Sequence, residues 1–271
     1  MSLPSALYKP YSIKGQTALI TGASSGIGEA CAWRFAEAGC RLILVARRQE
    51  RLQAVQQSLQ SEYKVPVHVV SMDVRDLKAI RSLPEELPAE FQEIDILVNN
   101  AGLALGTAGI HENDLDDIET MVQTNITSLL YFCRVFTPGM VKRNRGHVIN
   151  MCSIAGHEAY VGGSVYCGSK HAVDAITKAS RHDLVGTRVR VTSISPGAVR
   201  TEFSMVRMKG DADKEAAIYA GFDPLTAADI ADNVIYAATR PLNVQVADIV
   251  VLANHQSGGK TIARPMLEAQ Q

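Results

Sequence analysis

With 271 residues, 46% of them hydrophobic and 20% charged, the chain has enough apolar material for one large core and reads as a single α/β domain. Its 27 Lys and Arg balance 28 Asp and Glu with no block of either sign, which excludes a nucleic-acid surface and a polybasic membrane patch and leaves a small molecule as the expected partner. No apolar run approaches the roughly 18 residues of a membrane span, residues 1–14 lack the apolar stretch of a secretory leader, and the five cysteines form no C-x-x-C pair, so a soluble cytoplasmic protein without disulfides or bound metal is expected.

Short runs rich in Val, Ile and Leu recur at 17–21, 41–46, 67–72, 96–99, 148–151, 190–194 and 248–252, separated for the most part by segments of helical periodicity. This alternation predicts βαβ units and a doubly wound (Rossmann) parallel sheet of seven strands, with ligands outside the carboxyl ends of the strands. Chemistry is therefore sought at strand ends.

The first strand runs into Thr21-Gly22-Ala23-Ser24-Ser25-Gly26-Ile27-Gly28 and a helix that stops near Gly39. Glycines there let the backbone approach a pyrophosphate, whose charge suits the unpaired N–H groups of a helix N-terminus. The second strand ends at Arg47-Arg48, where an NAD enzyme would be expected to carry an acidic residue for the ribose hydroxyls. A guanidinium there suits a 2′-phosphate, so NADP(H) is the expected cofactor. Asp73 and Val74 close the third strand, and Asn99-Asn100-Ala101-Gly102 the fourth, where adenosine and its ribose need close access to the backbone.

Ser153 follows the fifth strand, and Tyr166 and Lys170 stand four apart in a helix predicted over about 165–184. That spacing puts both on one face, where the ammonium is expected to lower the tyrosine pKa and fit it for general acid–base work. The Ser153 hydroxyl is placed to hold the reacting oxygen. The segment 196–224 is too long for a tight βα turn and is read as a substrate-binding loop, within a core spanning 14–260.

Taken together, the glycine loop, the Asn-Asn-Ala-Gly strand end, Asn125, Ser153, Tyr166-x-x-x-Lys170 and Pro196-Gly197 resemble the short-chain dehydrogenase/reductase family over nearly the whole chain. The resemblance implies Tyr166 as acid–base, Lys170 on the nicotinamide ribose, Ser153 orienting substrate and Asn125 anchoring a relay water. It also implies that Pro196, Gly197, Val199 and Thr201 close against the nicotinamide, and that helices near 115–140 and 165–184 pair across the subunits of a homotetramer.

Residues 94–106 and 201–211 further resemble the family's NADP-dependent 3-hydroxy acid dehydrogenases, which act on serine, allo-threonine and related acids. Such a substrate carries a carboxylate, for which Arg207 is the chosen cation, with Arg200 and Lys209 behind it. A reductase of uncharged ketones or aldehydes is the alternative on the same scaffold, and an idle NADP-binding sensor is the alternative of another class, which would be expected to lack Ser153, Tyr166 or Lys170. The seven histidines show no ligand spacing, and Cys152 and Cys167, beside Ser153 and Tyr166, are read as packing residues.

Overall fold

One parallel sheet of seven strands organises the described residues. In the computed structural model, which describes residues 10–265, its strands are β1 (Thr17–Thr21), β2 (Arg41–Ala46), β3 (Val67–Ser71), β4 (Ile96–Asn99), β5 (Gly146–Met151), β6 (Val189–Pro196) and β7 (Asp248–Val251). The ends of the expected domain, 1–9 and 266–271, lie outside the described residues. The order β3-β2-β1-β4-β5-β6-β7 reverses direction between β1 and β4, which puts a crevice at their carboxyl ends.

Nine α-helices are seen among the described residues: α1 (Gly26–Glu37), α2 (Gln49–Tyr63), α3 (Leu77–Glu86), α4 (Leu115–Val122), α5 (Ser128–Arg143), α6 (Ser164–Asp183), α7 (Glu202–Arg207), α8 (Ala212–Tyr219) and α9 (Ala227–Ala238). The inner strands β1, β2, β4, β5 and β6 are buried on both faces and their side chains sort by parity, whereas the edge strand β7 alternates exposed and half-buried residues. Ala18, Ile20, Leu42 and Leu44 pack with Phe35 of α1, Leu52 and Leu59 of α2 and Val234 of α9. Leu19, Ile43, Val45 and Leu97 face the other way, onto Ile80 of α3 and Phe132, Phe136 and Met140 of α5. Burying each of these large side chains contributes roughly 1.5–3 kcal/mol, and a slip by one residue would exchange the two faces.

Three expectations are corrected. Segment 196–224 is not an open loop: Thr201 caps α7 by accepting from Phe203 N, Asp211 caps α8 by accepting from Lys214 N, and Val199 bridges Leu225. The helix expected near 115–140 widens into a π-turn at Gln123–Thr127, between α4 and α5, and this turn carries Asn125. Strands β5 and β6 start earlier than their apolar cores, at Gly146 and Val189, because these two residues pair with each other in the ladder.

Candidate active site

The ends of β1, β2, β4, β5 and β6 surround a cleft of about 500 Å³, and most of the residues singled out in the sequence line it. On its cofactor side stand Gly22, Ser24, Ser25, Gly26, Ile27, Arg47, Arg48, Asp73, Val74, Asn100, Ala101 and Gly102. Gly22 turns with φ 69°, a left-handed conformation natural to glycine. Gly28, just behind the cleft, packs α1 on that turn so closely that a Cβ would lie 2.3 Å from the Gly22 carbonyl oxygen. Thr21 joins the first strand to the fourth: its Oγ1 accepts from Asn100 N at 3.0 Å and Ala101 N at 2.9 Å, while Asn100 Nδ2 donates to Thr21 O.

These residues fit a dinucleotide phosphate. Helices α3, α4 and α9 begin with side-chain caps from Asp76, Asp114 and Thr226, whereas Ser25 gives α1 no such cap and receives Arg48 Nη2 at 2.6 Å. The first turn of α1, at Gly26 and Ile27, therefore borders the cleft with N–H groups that no side chain caps. Arg48 also donates to Ser24 Oγ through Nε and Nη2, each at 3.1 Å, and Arg47 stands exposed beside it. Asp73 is gripped by Arg75, whose hydrogen bonds hold its carboxyl below the usual range despite partial burial.

On the other side Ser153, Tyr166 and Lys170 meet, each less than a tenth exposed. Ser153 leaves β5 extended and accepts from Ala155 N at 3.1 Å, while its own hydroxyl donates to Pro196 O at 3.4 Å. Tyr166 lies against Phe203 of α7, ring centroids 5.6 Å apart. Burial raises its phenol above the ordinary value, and hydrogen bonding by Ser153 and the charge of Arg207 work in the opposite sense. The expected pairing with Lys170 differs in detail. The ammonium lies 5.9 Å from the Tyr166 ring centroid, donates to Met151 O at 2.8 Å, and has its own pKa lowered by burial. The strand-end carbonyl at Met151 competes for the charge that spacing on a helix assigned to the phenol.

Asn125 sits behind the cleft. Its Oδ1 accepts from Leu103 N at 2.9 Å and its Nδ2 donates to Leu103 O and Ser169 Oγ, so the side chain braces the loop after β4 against α6. Pro196, Gly197, Val199 and Thr201 line the cleft, tied down where Ala198 N donates to Gln256 Oε1.

Arg207, at the end of α7, also lines the cleft. Its guanidinium stands 5.6 Å from the ring centroids of both Tyr166 and Tyr160, and Nη1 donates to Tyr160 Oη at 3.2 Å. Its Nε is buried without a hydrogen-bond partner, and among the described residues no carboxylate pairs with it. Arg200 and Lys209 stand elsewhere: Arg200 lies over Tyr219, and Lys209 pairs with Asp117 at 2.7 Å. Tyr160, Phe203, Glu202 and Lys260 were not read as site residues from the sequence. Tyr160 lies between glycine-rich turns, and Lys260, 5.0 Å from the Tyr160 ring centroid, is brought there by the chain beyond β7.

Outside the cleft, His157, Asp174 and Asp248 bring potential ligand atoms within 4.8 Å of one another, an approach that no spacing announces. Lys178 pairs with Asp174 Oδ2, Arg181 with Asp248, and His157 Nε2 is shared with Ser195 Oγ, while Asp174 Oδ1 is buried without a partner. Burial pushes Cys31, Cys40 and Cys133 up to about 12, away from thiolate chemistry, and raises Cys152 as well.

Residues 16–212 match the short chain dehydrogenase family. The chain is 44% identical over 253 residues to an NADP-dependent 3-hydroxy acid dehydrogenase of Schizosaccharomyces pombe, covering 93% of this chain and 98% of that protein. It is 43% identical over 241 residues to a serine 3-dehydrogenase of Rhizobium radiobacter, covering 89% and 95%. Among solved structures, the closed form of serine dehydrogenase complexed with NADP+ superimposes with a TM-score of 0.85 at 43% identity, covering 89% of this chain and 96% of that one. A cleft at the sheet's crossover, its tyrosine, lysine and serine, and these likenesses over most of the chain agree that the protein belongs to the short-chain dehydrogenase/reductase family.

Proposed function

We propose that the protein is an NADP-dependent oxidoreductase that interconverts a small 3-hydroxy acid, of the serine, allo-threonine or 3-hydroxypropanoate kind, and the corresponding 3-oxo acid or semialdehyde. The observation that carries the substrate is Arg207: a cation in the cleft, its guanidinium 5.6 Å from the Tyr166 ring centroid. No protein carboxylate neutralises this guanidinium among the described residues, and a substrate carboxylate in the cleft would accept from its terminal nitrogens. Lys260, which borders the cleft near Tyr160 and whose ammonium pKa is lowered by burial and by Arg207, adds positive charge to the same end. The names of the two similar dehydrogenases point to the same class.

Bound NADP(H) would supply hydride transfer at the carbon that bears the oxygen. The protein's part is positioning and proton transfer. Ser153 Oγ holds the reacting oxygen, and Tyr166 Oη takes the hydroxyl proton in oxidation and returns it in reduction. Lys170 places a buried ammonium beside the tyrosine and the ribose position, and Asn125, which lies with Lys170 around Gly102, anchors the water that passes protons outward. Arg47, Arg48, Ser24 and Ser25 take the 2′-phosphate and its surroundings; Gly22, Gly26, Ile27 and Gly28 shape the pyrophosphate turn. Asp73, Val74, Asn100, Ala101 and Gly102 flank the adenosine and ribose, and Pro196, Gly197, Val199 and Thr201 the nicotinamide.

We assign the core to 14–260, with 196–224 as the substrate segment, and infer a cytoplasmic homotetramer. Among the described residues no helix is long and apolar enough to cross a membrane, and Leu130 and Val141 of α5 remain exposed as an apolar face for a neighbour.

The test compares NADP+ reduction with L-serine, L-allo-threonine and 3-hydroxypropanoate against their esters or decarboxylated analogues, in the native protein and in Arg207→Leu. A lost charge-assisted pair is expected to raise KM for the acids roughly tenfold to a hundredfold and leave neutral alcohols unchanged. Equal rates for acids and neutral analogues in the native protein would overturn the carboxylate reading in favour of a general carbonyl reductase.

A further inference from the structure

The helix that bears Arg207 is fastened at its other end to the arginines of the cofactor site. Glu202 opens α7, five residues before Arg207, and its carboxylate lies between two guanidinium groups: Oε2 accepts from Arg48 Nη1 at 2.8 Å and Oε1 from Arg51 Nη1 at 2.5 Å. The other edge of Arg48, Nε and Nη2, is turned to Ser24 and Ser25. One guanidinium is thus held from behind by Glu202 while its remaining donors face the glycine loop. Arg51 offsets the charge of Glu202, so Arg48, Arg51 and Glu202 together keep a net positive charge. The same helix continues to Phe203 against the Tyr166 ring and to Arg207, whose carbonyl accepts from Gly106 N at 2.9 Å. Thr201, just before it, packs 3.3 Å from where a Gly26 Cβ would stand.

From this juxtaposition we propose that Glu202 is a positioning residue that aims Arg48 at the 2′-phosphate and so links the choice of NADP(H) over NAD(H) to the placement of the substrate-binding helix. An exposed ion pair by itself is worth little, but a fork held on both edges loses little freedom when a phosphate arrives. The carboxylate stays ionised at ordinary pH, since the hydrogen bonds from Arg51 and Arg48 hold its pKa down to about 2. Any coupling between the two sites must be reciprocal, so the phosphate that steadies Arg48 also favours the position of α7. The substrate half rests on the reading of Arg207 as the acid's anchor; the cofactor half stands without it.

The experiment titrates the native protein and Glu202→Gln with NADP+ and with NAD+ by calorimetry, then measures KM for 3-hydroxypropanoate with each cofactor. Glu202→Gln is expected to weaken NADP+ about tenfold, leave NAD+ unchanged, and remove the lower KM for the acid that NADP+ confers on the native protein. An unchanged ratio of the two dissociation constants would overturn the proposal, and so would tighter NADP+ binding, which would make Glu202 a competitor of the phosphate. A shifted ratio with the acid's KM insensitive to cofactor in the native protein would overturn the link through α7. The ratio of the two dissociation constants is read without substrate, and the carboxylate reading is tested separately by acid against neutral alcohol turnover in the native protein, so failure of the carboxylate reading is distinguishable from failure of this one.

Discussion

Tyr166 illustrates how far a residue's chemistry is set by its surroundings. A phenol whose pKa burial raises is protonated across the neutral range, ready to give a proton in reduction but slow to accept one in oxidation. The expected profile follows from the sign: oxidation of the acid rises with pH through the alkaline range, and the reverse reduction stays level around neutrality. Tyr166→Phe should lower kcat by roughly 10²–10⁴ while leaving NADPH binding intact by fluorescence titration, because only the proton-transfer group is removed. The spacing of Tyr166 and Lys170 in the sequence located the pair; it could not show that Met151 O takes the Lys170 ammonium. That carbonyl belongs to a strand end 19 residues away in sequence.

Among the elements, α1 and α7 matter most to the site, and they differ in how openly the sequence declared them. The first turn of α1 depends on Gly28, where a Cβ would meet the Gly22 carbonyl and the Asn100 amide, itself tied to Thr21 O. Gly28→Ala is therefore expected to push α1 away from the turn, at a cost of about 1–3 kcal/mol, with weaker NADPH binding and a lower melting temperature. Unchanged binding would mean the turn tolerates the shift. Glycine spacing made this element readable, because close backbone approach has few solutions. By contrast α7 is six residues long, shorter than two turns, and lay hidden in a stretch read as loop. What holds it is tertiary: Glu202 on Arg48 and Arg51 at one end, Arg207 on Tyr160 at the other.

For the molecule as a whole, His147 on β5 gives stability a pH dependence. Its Nε2 shares a hydrogen bond with Thr192 Oγ1 at 2.8 Å, and burial, with the charge of Arg190, lowers its pKa well below the usual value. It is neutral in the fold but regains an ordinary value of about 6.5 on unfolding, so the unfolded chain binds the extra proton. Its contribution is complete above about pH 6.5 and declines as pH falls below that value. Urea midpoints at about pH 7.5 and 5.5 should differ, and His147→Asn should narrow the gap; an equal gap would assign the acid sensitivity to other groups.

Composition, the alternation of apolar runs with helical segments and the strand-end motifs determined the seven-stranded sheet and most of the residues around the cleft. Those features are local or periodic: a buried parallel strand must be apolar on both faces, and a tight turn needs glycine. Only the tertiary structure decided which cations face the cleft. Arg200, Arg207 and Lys209 lie within ten residues of one another, yet Arg200 stacks on Tyr219, Lys209 pairs with Asp117, and Arg207 alone of the three enters. Lys260 and Glu202 likewise acquire their surroundings from segments far away in the chain. A long charged side chain takes its partner from whatever the fold brings within reach, and no local pattern encodes that partner.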